Sequence, residues 1–396
     1  MKYVEQVKSI LLTFLVLLSI IFTLLIWNYK PDYGLIEETQ IEEVMVGQQK
    51  ELNDVLKPYR LLYRQNDEFF GTVSPSVLNE LYSYLRTWET SELDLINTNL
   101  SDEKMNGIIR TNNRVTMFFN EELPLQVFSN VVSFNDKAIP GASFTRLILD
   151  WSTLETNNQL QLLFLNTEKR ILYRTYADIV NTDKFLTEVI EPAKDYSPYV
   201  EIERDSLRSL YVSKNPIQST RYTYLIQEIS PNLFKSIVFT QPKIVQRNIE
   251  NEQSERYTDG TSLMTVDTKN RILNYVYPPA ESITPIPSYK LLIDSFNYIN
   301  DHGGFTEDFR FSSMNIGKHK IEYRLFLHGL PVNSDRTSTR IETTWGENRI
   351  FRYRRPFYSL ATATEVNRER EQKELVSGEQ VIEYIRNTEG YSFKDI

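Results

Sequence analysis

The feature that most constrains this chain is a run of 21 uncharged residues between Lys8 and Lys30, with the sequence SILLTFLVLLSIIFTLLIWNY. At about 1.5 Å per residue, a helix of this length reaches roughly 31 Å, which is the thickness of the hydrocarbon core of a bilayer. We therefore predict a transmembrane helix over residues 9–29. The rest of the chain has no comparable run, so the sequence predicts a single membrane crossing.

The charges on either side of this run predict its orientation. Lys2 and Lys8 precede it, four glutamates follow it within residues 37–43, and only Lys30 opposes the pattern. Positive charge is retained on the cytoplasmic side of a membrane. Residues 1–8 are therefore predicted to form a cytoplasmic tail, and the large C-terminal region is predicted to be extracellular.

A cleaved signal peptide is the alternative to a retained anchor. Its apolar core would be about 7–15 residues long and would end in a small-x-small cleavage site. The run in this chain continues through Leu24 to Trp27 without such a site. The sequence therefore favours a protein that stays tethered to the cell membrane.

The composition excludes several functional classes. The 396 residues include no cysteine and carry a formal net charge of −9, and because residues 1–31 contribute +2, the remainder carries −11. An acidic ectodomain does not favour binding to nucleic acid or to an anionic wall or lipid surface. The lack of cysteine is unusual for a secreted eukaryotic protein of this size and fits export by a Gram-positive bacterium. An aromatic content of 12% argues against disorder.

We predict an α+β fold in which the membrane helix is followed by an elongated region of about three mixed αβ lobes with antiparallel sheets. Residues 30–57 are predicted to be a connector, followed by an N-terminal lobe over 58–177, a middle lobe over 178–285 and a C-terminal lobe over 286–396. The clearest boundary is the segment from Pro278 to Pro287. Its four prolines within ten residues exclude a helix interior or a central strand.

Local patterns predict the elements within the lobes. Residues 59–70 have the pattern of a β-hairpin. Ser74 followed by Pro75 is a typical helix start, with serine as N-cap and proline at the first helical position. Another helix is predicted over residues 123–132. A helix over residues 288–300 has an apolar stripe at helical spacing.

A weak repeat relates two segments of the chain. Residues 270–278 match residues 348–356 at N, R, I, Y and P with an offset of 78. The repeat predicts lobes of related topology, although a β-hairpin arm of ordinary composition would show the same pattern.

The sequence offers no constellation of residues that carries chemistry. Its three histidines are too few and too scattered for a metal site, and no G-x-S-x-G nucleophile elbow or glycine-rich phosphate loop occurs. We therefore predict no catalytic, cofactor-binding or metal-binding residues and no bound cofactor, and we predict that the protein is not an enzyme.

Two groups of residues are predicted to contact a partner. In the membrane helix, small hydroxyl side chains share one arc of the helix: Ser9, Thr13, Ser19 and Thr23. Such residues permit close helix approach and hydrogen bonds between helices, although they can instead bond to their own i−4 carbonyl groups.

The second group is a cluster of arginines on the acidic ectodomain: Arg349, Arg352, Arg354 and Arg355, with Arg336 and Arg340 nearby. The strand period of two places Arg352 and Arg354 on one face. The cluster is either a partner surface or the solvated face of a hairpin.

Several strings resemble the YycH family. The N-terminal span begins with Lys8-Ser-Ile-Leu-Leu-Thr13, ends in Trp27-Asn28 and is followed by Pro31-x-Tyr33. Further along are YRLFLHGLPV from Tyr323 and TWGENRIFRYRRPFYSL from Thr344. The similarity spans nearly the entire chain, and none of these strings encodes a reaction.

The resemblance implies a membrane-anchored accessory regulator of low-GC Gram-positive bacteria. Members of the family associate with WalK, the sensor histidine kinase of the WalK/WalR (YycG/YycF) cell-wall two-component system, and with YycI. Contact through transmembrane helices and an ectodomain of three αβ lobes are also implied. The resemblance implies that family members continue past the last helix into further strands, whereas this chain stops at Ile396. The sequence therefore leaves open whether the C-terminal lobe is complete or truncated.

Two functions of other classes remain as alternatives. An extracytoplasmic enzyme acting on wall polymer would need a cleft with paired carboxylates about 5–10 Å apart. A ligand-binding sensor would hold a small molecule between lobes. The sequence leaves open whether the protein inhibits or activates the kinase, because the sign of coupling depends on the kinase state that it prefers.

Overall fold

The structure of the protein is a computed structural model. It describes residues 8, 11–12, 14–20, 22–23, 45–135, 139–204, 207–221, 224–346, 348–361, 371–375 and 377–387. The chain divides into two units, Met1–Glu43 and Val44–Ile396, and each unit is described by itself.

In the first unit, residues 14–20 are helical, and most of the described apolar side chains between residues 11 and 22 are more than half exposed. No helix among the described residues is long and apolar enough to cross a membrane. Much of the predicted span over residues 9–29 lies outside the described residues, so the span stays a prediction.

The first half of the second unit builds an eleven-stranded sheet, here called the first sheet. Its strands follow the order β11-β10-β2-β1-β5-β7-β8-β9-β3-β6, and β4 pairs with β9. All pairs are antiparallel except β3 with β6. The strands are β1 Arg60–Gln65, β2 Glu68–Thr72, β3 Glu89–Thr90, β4 Asp94–Asn97, β5 Arg114–Pro124, β6 Ser133–Phe134, β7 Ser143–Asp150, β8 Gln159–Asn166, β9 Ile171–Asp178, β10 Ser197–Arg204 and β11 Leu207–Ser213.

The helices of this half are mostly short. They are α1 Leu52–Val55, α2 Pro75–Leu85, α3 Asp102–Arg110, α4 Leu125–Phe128, α5 Leu154–Asn157 and α6 Thr182–Phe185. A π-helix at Leu186–Ile190 and a 3₁₀ helix at Glu191–Asp195 continue α6.

The second half builds a nine-stranded sheet, here called the second sheet. Its order is β14-β15-β16-β17-β22-β21-β19-β18, with β20 paired to β19, and two small sheets join β12 to β24 and β13 to β23. The strands are β12 Ile217–Arg221, β13 Leu225–Glu228, β14 Gln246–Asn251, β15 Ser254–Thr258, β16 Leu263–Asp267, β17 Ile272–Val276, β18 Phe309–Asn315, β19 Lys320–Leu327, β20 Leu330–Pro331, β21 Arg340–Trp345, β22 Ile350–Pro356, β23 Tyr358–Ala361 and β24 Glu371–Leu375. The helices are α7 Pro231–Val238, α8 Ser288–Asp301 and α9 Gly378–Asn387, with 3₁₀ helices at Pro242–Ile244, Pro278–Ala280 and Ile316–Lys318.

Several local predictions are confirmed. The predicted hairpin is β1–β2, and Asn66 and Asp67 at its turn have φ of 48° and 62°, as a two-residue type I′ turn requires. Helix α2 begins at Pro75 as predicted. The apolar stripe of α8 is buried against the second sheet, and Ser295 within it accepts a hydrogen bond from Thr343 at 2.8 Å.

The predicted helix over residues 123–132 is wrong. Only α4 is helical there, because Leu123 and Pro124 pair with Phe144 and Ser143 of β7 and so extend β5. The pairing of a central strand with its neighbour outweighs a local helical pattern. Sequence periodicity reports the local pattern but not the pairing.

The sheet pairings differ from the predicted division into three lobes. The strands assigned to a middle lobe are divided between the two sheets: β10 pairs with β2 of the first sheet, and β17 pairs with β22 of the second. The proline-rich segment from Pro278 to Pro287 joins β17 to α8, and both belong to the second sheet and its cover. Alternation along a strand predicts the strand but not its partner, so the sequence boundaries do not follow the sheets.

One face of the second sheet is apolar and contributes to a hydrophobic core shared with the first sheet. Leu273, Tyr275, Tyr323, Ile341 and Tyr353 on this face are each at most 2% exposed. The alternate residues of the same strands point to the other side. The shared core therefore fixes which side chains the second sheet presents to solvent.

Residues 45–50, here called the N-terminal clasp, attach to the loop between α8 and β18. The amide of Gly47 donates to the carbonyl of Gly303 at 2.8 Å, and the amide of Phe305 donates to the carbonyl of Gln48 at 2.9 Å. The ammonium of Lys50 lies 3.4 Å from the carboxylate of Asp308. The clasp lies within the predicted connector of residues 30–57, and this part of the connector therefore packs beside the second sheet.

Candidate partner-binding surface

The predicted arginine cluster lies on and just before β22, in the middle of the second sheet. Arg352 and Arg354 point to the same side of this strand, as the strand period predicts, whereas Tyr353 between them is buried. Arg349 precedes the strand. Its guanidinium lies 4.1 Å from the ring centroid of Tyr277 and donates to the hydroxyl of Thr240 at 3.3 Å.

Arg355 does not belong to a surface, and the prediction that it contacts a partner is wrong. Its side chain is fully buried, with 0% exposure. The guanidinium Nη1 donates to the carbonyl of Gly304 at 3.0 Å and to the hydroxyl of Tyr353 at 2.9 Å, and the group lies 4.9 Å from the ring centroid of Phe234. The inward residue of a strand is buried even when it is charged, provided that it is hydrogen-bonded.

Arg352 and Arg354 are part of a larger surface, here called the polar face, on the side of the second sheet that carries no shared core. Arg354 is paired with Asn274 of β17 and with Glu342 of β21, and Glu342 is paired with Glu322 of β19. On β19, β21 and β22 the polar face carries Lys320, Arg324, Arg340, Arg352, Arg354, Glu322 and Glu342. On β16 and β15 it also carries Asp267 and Arg256.

The two glutamates face each other directly across neighbouring strands, which is unfavourable for like charges. Neighbouring lysine and arginine side chains on β19, β21 and β22 offset this repulsion. Glu342 lies 2.9 Å from Lys320 and 3.5 Å from Arg354. Glu322 is in turn contacted by two arginines of β21 and β19, at 3.4 and 3.8 Å.

Arg352 stands apart from these networks. Within the described part of the chain it forms no ion pair with a carboxylate, and its guanidinium lies 5.6 Å from the centroid of the Phe351 ring. Its strand-pairing neighbours are Val276 and Thr344, which carry no charge. Arg352 is therefore an exposed cation without an ion pair among the described residues, and Asp267 and Glu342 line the same hollow.

Two hollows open on the polar face. One has a volume of about 530 Å³ and is bordered by Arg352, and the other has a volume of about 500 Å³ and is bordered by Arg340. They share Ile272, Glu342 and Arg354 as lining residues. The hollows therefore adjoin and form one open groove. Its lining includes three arginines, Arg340, Arg352 and Arg354, three carboxylates, Asp267, Asp335 and Glu342, and several hydroxyl and amide side chains.

The sequence analysis missed the contribution of β19 to this surface. Lys320 and Arg324 lie on the polar face together with Glu322 between them. The alternation Lys-Ile-Glu-Tyr-Arg over residues 320–324 carries this signal, because it places three charges on one side of a strand. The sequence does not show which strand lies beside β19. In the structure β21 lies between β19 and β22 and so joins their charged residues into one surface.

Two groups near the second sheet with shifted pKa values hold the fold. Burial lowers the pKa of His302, whose ring stacks on Tyr298 with centroids 3.8 Å apart. Burial alone would raise the pKa of Asp308, but Arg310 at 2.7 Å, helped by Lys50, holds it below its usual range. In the described residues, no group of three or more histidine or acidic side chains is placed to hold a metal ion.

The second predicted contact group lies in the first unit, and only part of it is described. Ser9 and Thr13 lie outside the described residues. Ser19 and Thr23 are described, and the hydroxyl of Thr23 donates to the carbonyl of Ser19 at 2.9 Å. The Thr23 hydroxyl proton is thus used within the helix, as its i−4 bonding capacity allows.

Comparison with known proteins assigns the family. The model described as the N-terminal domain of YycH protein matches residues 5–195, and the model described as its C-terminal domain matches residues 207–396. The chain belongs to the YycH family. The resemblance found in the sequence is thereby confirmed.

One sequence match and one structural match come from Bacillus subtilis. The chain is 20% identical over 372 residues to the "Two-component system WalR/WalK regulatory protein YycH" of strain 168, covering 90% of this chain and 81% of that protein. It also matches the crystal structure of YycH from Bacillus subtilis with a TM-score of 0.75 and 18% identity, over 88% of this chain and 90% of that one. The structural match supports the mixed α+β fold with antiparallel sheets.

Proposed function

We propose that this chain is a non-enzymatic regulatory protein of a two-component system, which associates at the cell membrane with the sensor histidine kinase WalK and with YycI. The observation that carries the proposal is family membership across residues 5–195 and 207–396. The name of the Bacillus subtilis relative, a WalR/WalK regulatory protein, supplies the system.

The proposal includes a membrane anchor over residues 9–29, with residues 1–8 in the cytoplasm and the ectodomain outside. The exposed apolar side chains of the first unit support it, because Leu12, Phe14 and Phe22 are 65%, 59% and 55% exposed. Leucine and phenylalanine side chains at such exposure are favourable in lipid and unfavourable in water.

The N-terminal clasp supports a role for the second sheet in coupling the membrane segment to the ectodomain. Residues 30–44 alone separate the predicted anchor from the clasp. A pull or rotation transmitted along this short stretch would reach the loop between α8 and β18 first. The polar face is built on the same sheet, so partner contacts and the anchor would act on one structural element.

The test is a comparison of two anchor variants in cells. In the first, Ser9, Thr13, Ser19 and Thr23 are all replaced by leucine, and in the second an equally apolar scrambled span replaces residues 9–29. We expect both to insert, to lose crosslinking to WalK and YycI within the membrane and to change the output of a WalR-dependent promoter in the same sense as deletion of the chain. Hydrogen bonds between helices contribute only about 0.6–2 kcal/mol each, so four replacements are made together.

Wild-type crosslinking and promoter output in both variants would show that the helix is a passive tether. An unchanged output on deletion of the whole chain would refute the regulatory function itself.

A ligand-binding sensor is the second candidate, and the two adjoining hollows of the polar face favour it. In that case a small polar molecule would bind the isolated ectodomain saturably, and the promoter response would depend on that molecule. A promoter response that is the same with and without the molecule would exclude this candidate.

A further inference from the structure

We infer that the N-terminal clasp is a releasable regulatory latch. A pull on the chain ahead of residue 45 detaches residues 45–50 from the loop between α8 and β18, and this detachment frees the buried guanidinium of Arg355. The inference rests on the proposed function, because the proposed membrane anchor is what would pull. It adds a conformational change within the ectodomain and names the group that the change releases.

The first argument is that hydrogen bonds fasten the clasp along its length. Gln48 exchanges two backbone hydrogen bonds of 2.9 Å with Phe305. The side-chain amide of Asn300, in the last turn of α8, accepts from the backbone N–H of Lys50 at 3.0 Å and donates to the Lys50 carbonyl at 2.9 Å. Together with the bond from Gly47 to the loop, these contacts join the clasp to one helix and to the loop that follows it.

The second argument is that the clasp keeps little apolar surface out of water. Met45 is 39% exposed, and none of residues 45–50 is buried. The chain that follows is different, because Val55 and Leu56 are at most 1% exposed. A segment held by hydrogen bonds with few buried apolar contacts opens more readily than a packed core. A pull from the N-terminal side therefore meets a weak segment before it meets a strong one.

The third argument is that the clasp and Arg355 bind the same loop. The carbonyl of Gly303 accepts from Gly47 of the clasp, and the carbonyl of Gly304 accepts from Nη1 of Arg355 at 3.0 Å. A Cβ atom on Gly303 would lie 3.2 Å from Cγ2 of Val46 and 3.6 Å from Nη1 of Arg355. Two consecutive glycines give this loop the freedom to rearrange once the clasp leaves.

The fourth argument is the cost of the closed state. The guanidinium of Arg355 is fully buried, and in the part of the chain that the structure describes its partners are carbonyl oxygens and the Tyr353 hydroxyl rather than a carboxylate. A buried cation is tolerated only while it is hydrogen-bonded. Loss of the Gly304 carbonyl therefore favours hydration of the guanidinium, which couples clasp release to exposure of Arg355. Because Arg355 belongs to β22, the change reaches a strand in the middle of the second sheet.

The first test applies force to the full-length protein in detergent. The chain has no cysteine, so M45C/I283C supplies the two attachment points for magnetic tweezers, and Ile283 is 96% exposed. Release of six residues lengthens the chain by at most about 20 Å. We expect a reversible step of this size at a lower force than the unfolding of the remainder. A single transition without such a step would overturn the inference.

The second test measures the exposure of Arg355 by its rate of modification with phenylglyoxal, located by peptide mass mapping. The test variant N300A removes both hydrogen bonds to the backbone of Lys50. The control N297A makes the same replacement at an exposed position of the same helix. Alanine is a better helix former than asparagine at both positions, so α8 gains equally in the two variants.

We expect Arg355 to react about tenfold faster in N300A than in wild type or N297A, because the loss of two hydrogen bonds raises the population of the open clasp. Arg352 on the same strand is exposed and should react at the same fast rate in all three proteins. Arg114, which lies 2.7 Å from Asp150 in the first sheet, should react slowly in all three and so reports an intact fold. Equal reactivity of Arg355 in N300A and N297A would overturn the inference.

Promoter output in cells separates failure of the latch from failure of the proposed function. We expect N300A to change the output of a WalR-dependent promoter and N297A to leave it at the wild-type level. Wild-type output in N300A, with Arg355 reactive in vitro, would refute the clasp as a regulatory device. If deletion of the whole chain still changed the output, the proposed regulatory function would stand without the latch.

Discussion

Tyr275 and Tyr353 lie directly opposite each other on the neighbouring antiparallel strands β17 and β22, and they are also equivalent positions in the two copies of the sequence repeat. The offset of 78 therefore relates two adjacent strands about a local two-fold axis between the two tyrosines. Asn274 faces Arg354, which is the repeat equivalent of Val276. In turn, Val276 faces Arg352, which is the repeat equivalent of Asn274. The repeat does not mark separate lobes.

The first prediction concerns the hydroxyl groups of this tyrosine pair, which have different partners. Tyr353 accepts from the buried guanidinium of Arg355 at 2.9 Å, whereas Tyr275 donates to the hydroxyl of Ser262 at 3.1 Å. Hydrogen bonds to charged groups contribute about 1.5–3 kcal/mol and neutral ones about 0.5–1.5 kcal/mol. We therefore expect Y353F to lower the free energy of unfolding more than Y275F in urea titrations. Equal losses would show that Arg355 is satisfied by backbone carbonyls alone.

The second prediction contrasts two arginines of one strand. Arg355 is buried and bonded to the carbonyl of Gly304, whereas Arg352 is exposed. We expect R355A to destabilise the protein by about 2–4 kcal/mol, because it creates a cavity and leaves a buried acceptor unpaired. R352A should change stability by no more than about 0.5 kcal/mol. Thermal and urea unfolding of both variants measures the difference, and a comparable loss for R352A would contradict the assignment of Arg352 to the surface.

The third prediction tests the N-terminal clasp. A Cβ atom on Gly47 would lie 2.3 Å from the carbonyl oxygen of Phe305, so G47A forces the two backbones apart. We expect faster hydrogen exchange at the amides of Gly47 and Phe305, since both donate hydrogen bonds within the clasp.

The matched control for the clasp is G107A in α3, where nothing lies within 4 Å of the added Cβ. Replacing glycine by alanine inside a helix stabilises it by about 0.5–1 kcal/mol. Exchange at the clasp should stay at the wild-type rate in this variant. If the amide of residue 47 still exchanged slowly in G47A, then the clasp would accommodate the added methyl group without losing its hydrogen bonds.

The fourth prediction is a pH dependence from His302. Burial lowers its pKa below the usual 6.5, against the raising effects of its bond to the Tyr298 carbonyl and of Asp301. The unfolded chain binds the proton more readily, so the stabilisation is complete above pH 6.5 and is lost as the pH falls below that value. We expect H302F, which keeps a ring to stack on Tyr298, to lose less stability than wild type between about pH 7 and pH 5. Parallel stability profiles for the two proteins would count against a buried neutral histidine.

Much of the local structure follows from the sequence, and its assembly does not. The hairpin at Asn66–Asp67 and the start of α2 at Pro75 depend on turn and cap chemistry within a few residues, so they can be predicted. Which strands pair is set by contacts between residues far apart in the chain. The sequence contains the alternation of β10 and β17, but nothing in it indicates that β10 extends the first sheet.

For the candidate surface, too, the local pattern could be predicted from the sequence and the long-range packing could not. The alternation of β22 correctly places Arg352 and Arg354 on one face. It does not reveal that Arg355, one residue further, turns into the core, because that depends on the Gly304 carbonyl and the Phe234 ring across the fold. A run of arginines in sequence therefore combines surface and core residues, and only the packing separates them.

The last prediction concerns the proline-rich segment, where the sequence predicts a boundary between lobes. Ile283 within it is 96% exposed, so a specific protease site can replace the residues around it. The cut would separate β17 from β22, which pair from Ile272 with Pro356 to Val276 with Arg352. It would also leave β12 and β13 on one fragment and their partners β24 and β23 on the other. Because strand pairing and the shared core cross the cut, we expect the two fragments to co-elute on size exclusion and to unfold in a single transition.

The fragment that ends at the cut supplies the control. Expressed alone, it would present β17 as an unpaired edge and expose the core face that α8 covers, so we expect it to aggregate. Adding the C-terminal fragment during refolding should restore a soluble complex. If the cut fragments instead separate under native conditions and each melts cooperatively, then the segment is a boundary between independent lobes. The pairing of β17 with β22 would then contribute little to stability.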